Sequence, residues 1–196
     1  MAKRVTLKPT FKIENIVASA ALGAELDLYA IAKASVDVDY EPEQFPGAIY
    51  KIKEPKVALL LFKNGKIICT GAKTEADIKR AIDMVIKVVR KYILTEKKLA
   101  KRFKLHTEFR IENIVASADL GVELDLYAIA KASADVDYEP EQFPGAIYKI
   151  KEPKVALLLF KNGKIICTGA KTEADIKKAI DQVIKVVKNY ILSEKK

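Results

Sequence analysis

Residues 11–94 of this chain recur as residues 109–192, shifted by 98 positions and differing at only eight of them. The differing pairs are Lys12/Arg110, Ala21/Asp119, Ala24/Val122, Val36/Ala134, Arg80/Lys178, Met84/Gln182, Arg90/Lys188 and Lys91/Asn189. None of them involves a glycine, a proline or an aromatic residue, so the halves are expected to share one backbone, with a first repeat in 1–97 and a second in 98–196. Two near copies in tandem predict internal pseudo-two-fold symmetry and a binding surface built twice from the same residues. A partner must tolerate that symmetry. A nucleic-acid duplex does so naturally, because its strands are themselves related by a two-fold axis.

Composition narrows the classes of function. Of the 196 residues, 50% are hydrophobic and 31% charged, as in a globular protein. The sequence shows no amino-terminal signal pattern and no uninterrupted apolar stretch of about 18 residues, which argues against secretion and a membrane span. A formal net charge of +9 fits a polyanionic partner, and equally a lysine-rich solvated surface. Cys69 and Cys167 occupy equivalent positions and read as small core residues, with no CxxC or Cys/His cluster to hold a metal. His106 is the only histidine and lies between the repeats. A hydrolytic triad and a multi-histidine metal site therefore have no residues behind them, and neither an enzyme nor a cofactor is expected.

Within one repeat, Ile13–Ser19 reads as a strand. Gly23 breaks the chain, and Asp27 caps a short helix through Leu28, Ile31 and Ala32. Val36 to Tyr40 alternates apolar and acidic residues as a strand does, and Tyr40–Gly47, with two prolines, reads as a loop ending on Phe45. Ala48–Ile52, Val57–Phe62 and Lys66–Thr70 read as strands, the last two joined by the hairpin signal Asn64-Gly65. Thr74-Glu75-Ala76-Asp77 resembles a capping box, opening a helix whose apolar face runs from Ile78 to Tyr92 and Ile93. Residues 95 to 108 form a lysine-rich connector.

The strands carry the informative anomaly. A hairpin-linked antiparallel sheet usually has one apolar and one polar face, yet Val57–Phe62 and Ile67–Cys69 are apolar on both. The helices of a repeat can cover only one face. The other, bearing Val17, Ala58, Leu60, Phe62 and Ile68 with Asn15 and Thr70 among them, must pack against another sheet or serve as an exposed platform. Asn15 and Thr70 favour a binding site over a dry core.

The motifs NIVAS at 15–19 and 113–117, YEPEQFPG at 40–47 and 138–145, EPK at 54–56 and 152–154, and GK-x-x-x-TGAK at 65–73 and 163–171 occur in order in both halves. In these motifs the chain resembles the TATA-binding protein family, particularly its archaeal forms, over nearly its whole length. The resemblance implies an α+β saddle: two pseudo-symmetric repeats forming one curved antiparallel sheet, with helices on the convex face. It implies a general transcription initiation factor that binds and bends A·T-rich DNA through the minor groove. Phe45 with Phe62, and Phe143 with Phe160, would be wedges inserted between base steps, a known property of the family. Asn15, Thr70, Asn113 and Thr168 would donate to minor-groove acceptors, while Val17, Leu60, Ile68, Val115, Leu158 and Ile166 line the groove floor. Lys51, Lys66, Lys73, Lys149, Lys164 and Lys171 would meet phosphates. Glu139 and Glu141 match the acidic loop that contacts the B-type general transcription factor, and Glu41 and Glu43 repeat it.

Family members have diverged halves, whereas these are near copies, which suggests a reconstructed or engineered symmetric sequence. If the chain is archaeal, as the resemblance suggests, it is expected to be cytoplasmic and nucleoid-associated; separately, its apolar underside allows self-association through the concave face without DNA as a further mode. Competing readings are a symmetric structural scaffold and a protein-interaction module with little specific DNA affinity. The eight differences are expected to fall mostly on helices and the flanks of the first strand, away from the DNA face. The two orientations on an asymmetric site should then differ little in free energy, by less than about 1 kcal/mol, below the usual effect of one mismatched pair.

Overall fold

The structure, a computed structural model, describes residues 7, 9–94 and 108–194. All but the last residue of the 95–108 connector, His106 included, lies outside them. Contacts divide the chain into two compact units, Asn15–Glu112 and the described residues up to Glu14 together with those from Asn113 on. The division thus falls within the first strand of each repeat.

The first repeat runs β1 (Phe11–Ala21), α1 (Leu28–Ala34), β2 (Val38–Asp39), β3 (Gly47–Ile52), β4 (Val57–Phe62), β5 (Lys66–Ala72) and α2 (Glu75–Val89), then a 3-10 turn over Arg90–Tyr92. The second runs β6 (Phe109–Asp119), β7 (Val122–Leu124), α3 (Leu126–Ala132), β8 (Val136–Asp137), β9 (Gly145–Ile150), β10 (Val155–Phe160), β11 (Lys164–Ala170), α4 (Glu173–Val187) and β12 (Ile191–Glu194). Each repeat makes an antiparallel sheet, in the order β2-β3-β4-β5-β1 and β8-β9-β10-β11-β6 respectively.

Period-two alternation sorts every strand. In β4, Val57, Leu59 and Leu61 are buried while Ala58, Leu60 and Phe62 are half-buried; in β5, Ile67 and Cys69 are buried while Ile68 and Thr70 are not. The buried set is covered by α2, whose stripe Ile78, Ala81, Ile82, Val85 and Val89 repeats at three and four residues. Ile86 and Val88, expected on that face, are only half-buried because their 100° steps carry them to its sides. Each fully buried aliphatic side chain here contributes about 1.5–3 kcal/mol of transfer free energy, so this layer holds the unit together.

Local signals place the turns. The Asp27 carboxylate accepts from Ala30 N at 3.0 Å, capping α1. In the Asn64-Gly65 hairpin the Asn64 side chain accepts from Lys66 N at 3.0 Å. Gly65 has φ +77°, and a β-carbon there would stand 2.1 Å from the Ala24 carbonyl oxygen. No other residue type fits.

The sequence reading needs correction at two elements. Of Val36–Tyr40 only Val38 and Asp39 pair, with Tyr50 and Ile49; α1 runs to Ala34 and leaves Val36 fully exposed in the turn. The long helix stops at Val89, short of Tyr92 and Ile93. Ile93 instead bridges Leu26, while Tyr92 O accepts from Asp27 N at 2.9 Å. Extended pairing satisfies backbone groups that a further helical turn would have used. In the second repeat the same segment lengthens into β12, paired with β7.

Among the helix caps the repeats differ. Thr172 accepts from Asp175 N at 3.1 Å, and the Asp175 carboxylate accepts from Thr172 N at 3.0 Å and Lys171 N at 3.1 Å, a complete capping box. Thr74 likewise accepts from Asp77 N at 3.1 Å. There, however, the Asp77 carboxylate is engaged by Arg80 at 3.1 Å and by the Thr74 hydroxyl at 2.7 Å. The position of Arg80 is taken by Lys178 in the second repeat, whose charge acts on Asp175, whereas the planar Arg80 guanidinium donates directly to Asp77.

Candidate nucleic-acid interface

The face left open by the helices is the same in both units. Across the first-repeat sheet the ladder sets Ile49 opposite Leu60, Leu60 opposite Ile68, and Ile68 opposite Ser19. A second row sets Lys51 opposite Ala58 and Ala58 opposite Thr70. Asn15, Val17, Leu60, Phe62, Ile68 and Thr70 are all half-buried, as are Asn113, Val115, Leu158, Phe160, Ile166 and Thr168. The structure therefore gathers these predicted site residues on one apolar, uncharged surface per unit. Ile49, Ile147, Ser19 and Ser117 share it and were not singled out in the sequence, although the alternation in Gly47–Ile52 carries the signal for the isoleucines. The serines are tied down by glutamates: Ser19 Oγ donates to Glu112 at 2.6 Å and Ser117 Oγ to Glu14 at 2.7 Å.

Two polar side chains on the face are held rigidly. Asn15 Oδ1 accepts from Gly71 N at 2.7 Å, and Asn15 Nδ2 donates to Thr70 Oγ1 at 3.3 Å. The Gly71 N–H can only donate, so it fixes which way the amide points. One Nδ2 hydrogen and the Thr70 hydroxyl hydrogen then remain to donate outward. The register slips by one residue between Ile16/Ala72 and Ala18/Cys69, and this bulge presents Gly71 N to Asn15. Asn113, Thr168 and Gly169 repeat the arrangement at 2.7 and 3.4 Å.

At the end of the face Phe45 and Phe62 meet edge to face, ring centroids 5.9 Å apart at 65°, and Phe143 and Phe160 do so at 5.9 Å and 63°. Gly47 lies across from Phe62 in the ladder. A β-carbon there would stand 2.8 Å from Phe45 Cε1 and 3.2 Å from Phe62 Cε1. The glycine is the floor on which the ring pair rests, a role the sequence hid behind its Pro-Gly loop signal.

Cations border the apolar surface. Lys51, Lys66, Lys73, Lys149, Lys164 and Lys171 are all exposed; Lys51 and Lys66 share strand parity with Ile49 and Ile68 and so stand on the open face. The acidic loop is separately organised. Glu139 O accepts from Gln142 N and Phe143 N at 3.0 Å, the Gln142 amide donates to the Glu139 carboxylate, and Glu141 is exposed. Cys69 and Cys167 lie on the covered side, where burial and then the charge of Asp77 or Asp175 push each thiol up to about 11. Among the described residues no cluster of three or more His, Cys, Asp or Glu could hold a metal, and no helix is long and apolar enough to cross a membrane.

The differences between repeats fall mostly away from this face, with one exception: Ala21 and Asp119 continue the parity of Val17 and Ser19, and of Val115 and Ser117, and are exposed at its end. That parity follows from where the strands run, since Ala20 and Ala118 are the buried neighbours.

The family description "Transcription factor TFIID (or TATA-binding protein, TBP)" matches residues 10–92 and again 108–190. The chain belongs to the TATA-binding protein family. Relatives in that family include the TATA-box-binding protein of Methanothermobacter thermautotrophicus, 49% identical over 87% of this chain and 91% of its own length. The TATA-box-binding protein of Thermococcus kodakarensis is 43% identical over 93% of each chain. The solved structure of Methanococcus jannaschii TBP superposes with a TM-score of 0.80 at 40% identity, covering 91% of this chain and 98% of that one. Both family matches fall on the repeats described above, so the fold class is the α+β fold of that family.

Proposed function

We propose that the chain is a non-catalytic general transcription initiation factor that binds A·T-rich (TATA) DNA through the minor groove, each unit engaging one half of the site. What carries the reading is the open face itself: apolar, without charge at its centre, bordered by lysines and ending in a pair of half-exposed aromatic rings. The minor groove offers little beyond A·T against G·C. A floor of Val17, Leu60, Ile68 and their counterparts fits the A·T edge and collides with the guanine amino group. The outward hydrogens of Asn15 and Thr70 meet the acceptors that A·T pairs present there.

Phe45, Phe62, Phe143 and Phe160 act as wedges. Unstacking a base step exposes apolar surface that an aromatic ring covers, and the bent duplex then meets more protein. Lys51, Lys66, Lys73, Lys149, Lys164 and Lys171 contact phosphates. Glu139 and Glu141 receive a B-type general transcription factor, with Glu41 and Glu43 offering a second copy of that loop. Without DNA, two molecules cover their apolar faces mutually.

Salt dependence tests the reading. Six lysine–phosphate contacts give a slope of log affinity against log salt of about −5. A gel-shift series from low to physiological salt measures it, and affinity that ignores salt would mean the lysines serve only solubility.

A further inference from the structure

One difference between the repeats makes the two copies of the face electrostatically unequal. In the second-repeat unit a cleft of about 560 Å³ is lined by Thr10, Lys12, Ser117, Asp119, Phe160 and Lys164, among others. Asp119 stands directly across from Lys164 in the β6–β11 ladder, and such cross-strand neighbours have β-carbons about 5 Å apart. One oxygen of Asp119 accepts from Gly121 N at 2.9 Å, which holds the carboxylate at the strand end. In the first-repeat unit the residue across from Lys66 is Ala21, and the position of Lys12 is taken by Arg110. Glu14 and Glu112 occupy equivalent positions and leave the comparison unchanged. Besides the glutamate common to both corners, two cations and a further carboxylate border one aromatic wedge, and at the equivalent positions two cations without that further carboxylate border the other.

We infer that Asp119 is an orientation-determining residue: it weakens the hold of the second-repeat half on the DNA backbone, so that the first-repeat half takes the end of an asymmetric site with the stronger negative potential. The inference rests on the DNA-binding reading given above. Runs of adenine narrow the minor groove and deepen its negative potential, which attracts Arg and Lys, whereas alternating T-A steps are flexible and wider. The first-repeat corner, with Arg110 and Lys66 and one carboxylate fewer, gains more from the narrow end. An exposed charge at this range biases the two orientations about two- to fivefold, and salt reduces the bias. The effect stays within the small orientational difference expected from the sequence but gives it a direction and a residue.

Asp119→Ala and Ala21→Asp each install what the other repeat already carries at the same backbone position. The test uses the full chain with an iron-chelate cleavage reagent on Gln44→Cys, an exposed uncharged residue beside Phe45, the native thiols being buried. The duplex carries a dA run over one half of the site and alternating dT-dA steps over the other. The chain with Ala21 and Asp119 is expected to cut about two- to fivefold more at the dA-run end, Asp119→Ala to cut both ends more nearly equally, and Ala21→Asp with Asp119→Ala to reverse the bias. A bias that survives the exchange unchanged, or equal cutting by all three proteins, overturns the inference while leaving DNA binding intact. Failure of all three to form a complex overturns the binding reading and the inference with it.

Discussion

Replacing Phe62 by alanine separates a ring that projects for function from one that packs the core. A fully buried Phe→Ala change removes about 3–5 kcal/mol. Phe62 is half-buried, on the parity opposite Leu59 and Leu61, which are fully buried. Complete burial of a large apolar side chain contributes about 1.5–3 kcal/mol, so half of it amounts to about 1 kcal/mol. The edge-to-face contact with Phe45 adds about 0.5–1.5 kcal/mol. Little further cavity term applies, because the vacated volume opens to solvent. The expected loss is therefore about 1.5–2.5 kcal/mol, and the same holds for Phe160→Ala. Urea denaturation followed by circular dichroism measures it as a shift in midpoint at unchanged slope. Fluorescence energy transfer between duplex ends measures bending on the same proteins, which should fall by more than the stability loss accounts for. A loss of 3 kcal/mol or more, with bending preserved at saturating protein, would put the ring in the core and refute its assignment as a wedge.

Three further outcomes are expected. Gly47→Ala places a methyl group 2.8 Å from Phe45 Cε1, displacing the ring pair; overpacking of this kind costs about 1–3 kcal/mol, and DNA bending by the variant should drop below that of the parent. Cys69 and Cys167, buried with thiols raised to about 11, should resist a disulfide reagent at pH 8 and react once urea unfolds the chain; rapid native labelling would contradict their placement. Burial alone would raise the Asp175 carboxyl, but hydrogen bonds from Lys171 N, the Thr172 hydroxyl and Thr172 N, with the nearby charge of Lys178, lower it overall. Its contribution is then present above the unfolded carboxylate range near pH 4 and is lost as pH falls through the lower folded value. Asp175→Asn should flatten the acid limb of the stability curve, as an acid titration of the unfolding midpoint would reveal.

Much of the site was legible because alternation in strands is a strict rule. Ala58, Leu60 and Phe62 had to share a face, and helices on one side of the sheet could not cover both. The Asn64-Gly65 turn and the threonine caps were legible for similar local reasons. Three features were not. The role of Gly47 depends on a ring that arrives from the preceding loop, and no local pattern announces it. The end of α2 depends on Ile93 finding Leu26, a contact 67 positions away in sequence that overrides the helical period of the segment. The placement of Ala21 and Asp119 on the open face depends on how far the first strand of each repeat extends, and strand ends are set by tertiary pairing. Both residues close their strands, on the parity of the open face.

In the proposed function the protein reads the minor-groove edge of A·T pairs through an apolar face. Inosine·cytosine pairs test it directly, since they present the major-groove pattern of G·C but lack the guanine amino group in the minor groove. Gel-shift competition among a TATA duplex, its G·C-substituted form and its inosine·cytosine form isolates that one group. The inosine·cytosine duplex is expected to compete nearly as well as TATA, and the G·C duplex poorly. An inosine·cytosine duplex that behaves like G·C would mean the sequence is read elsewhere, and the face described here would not be the reader.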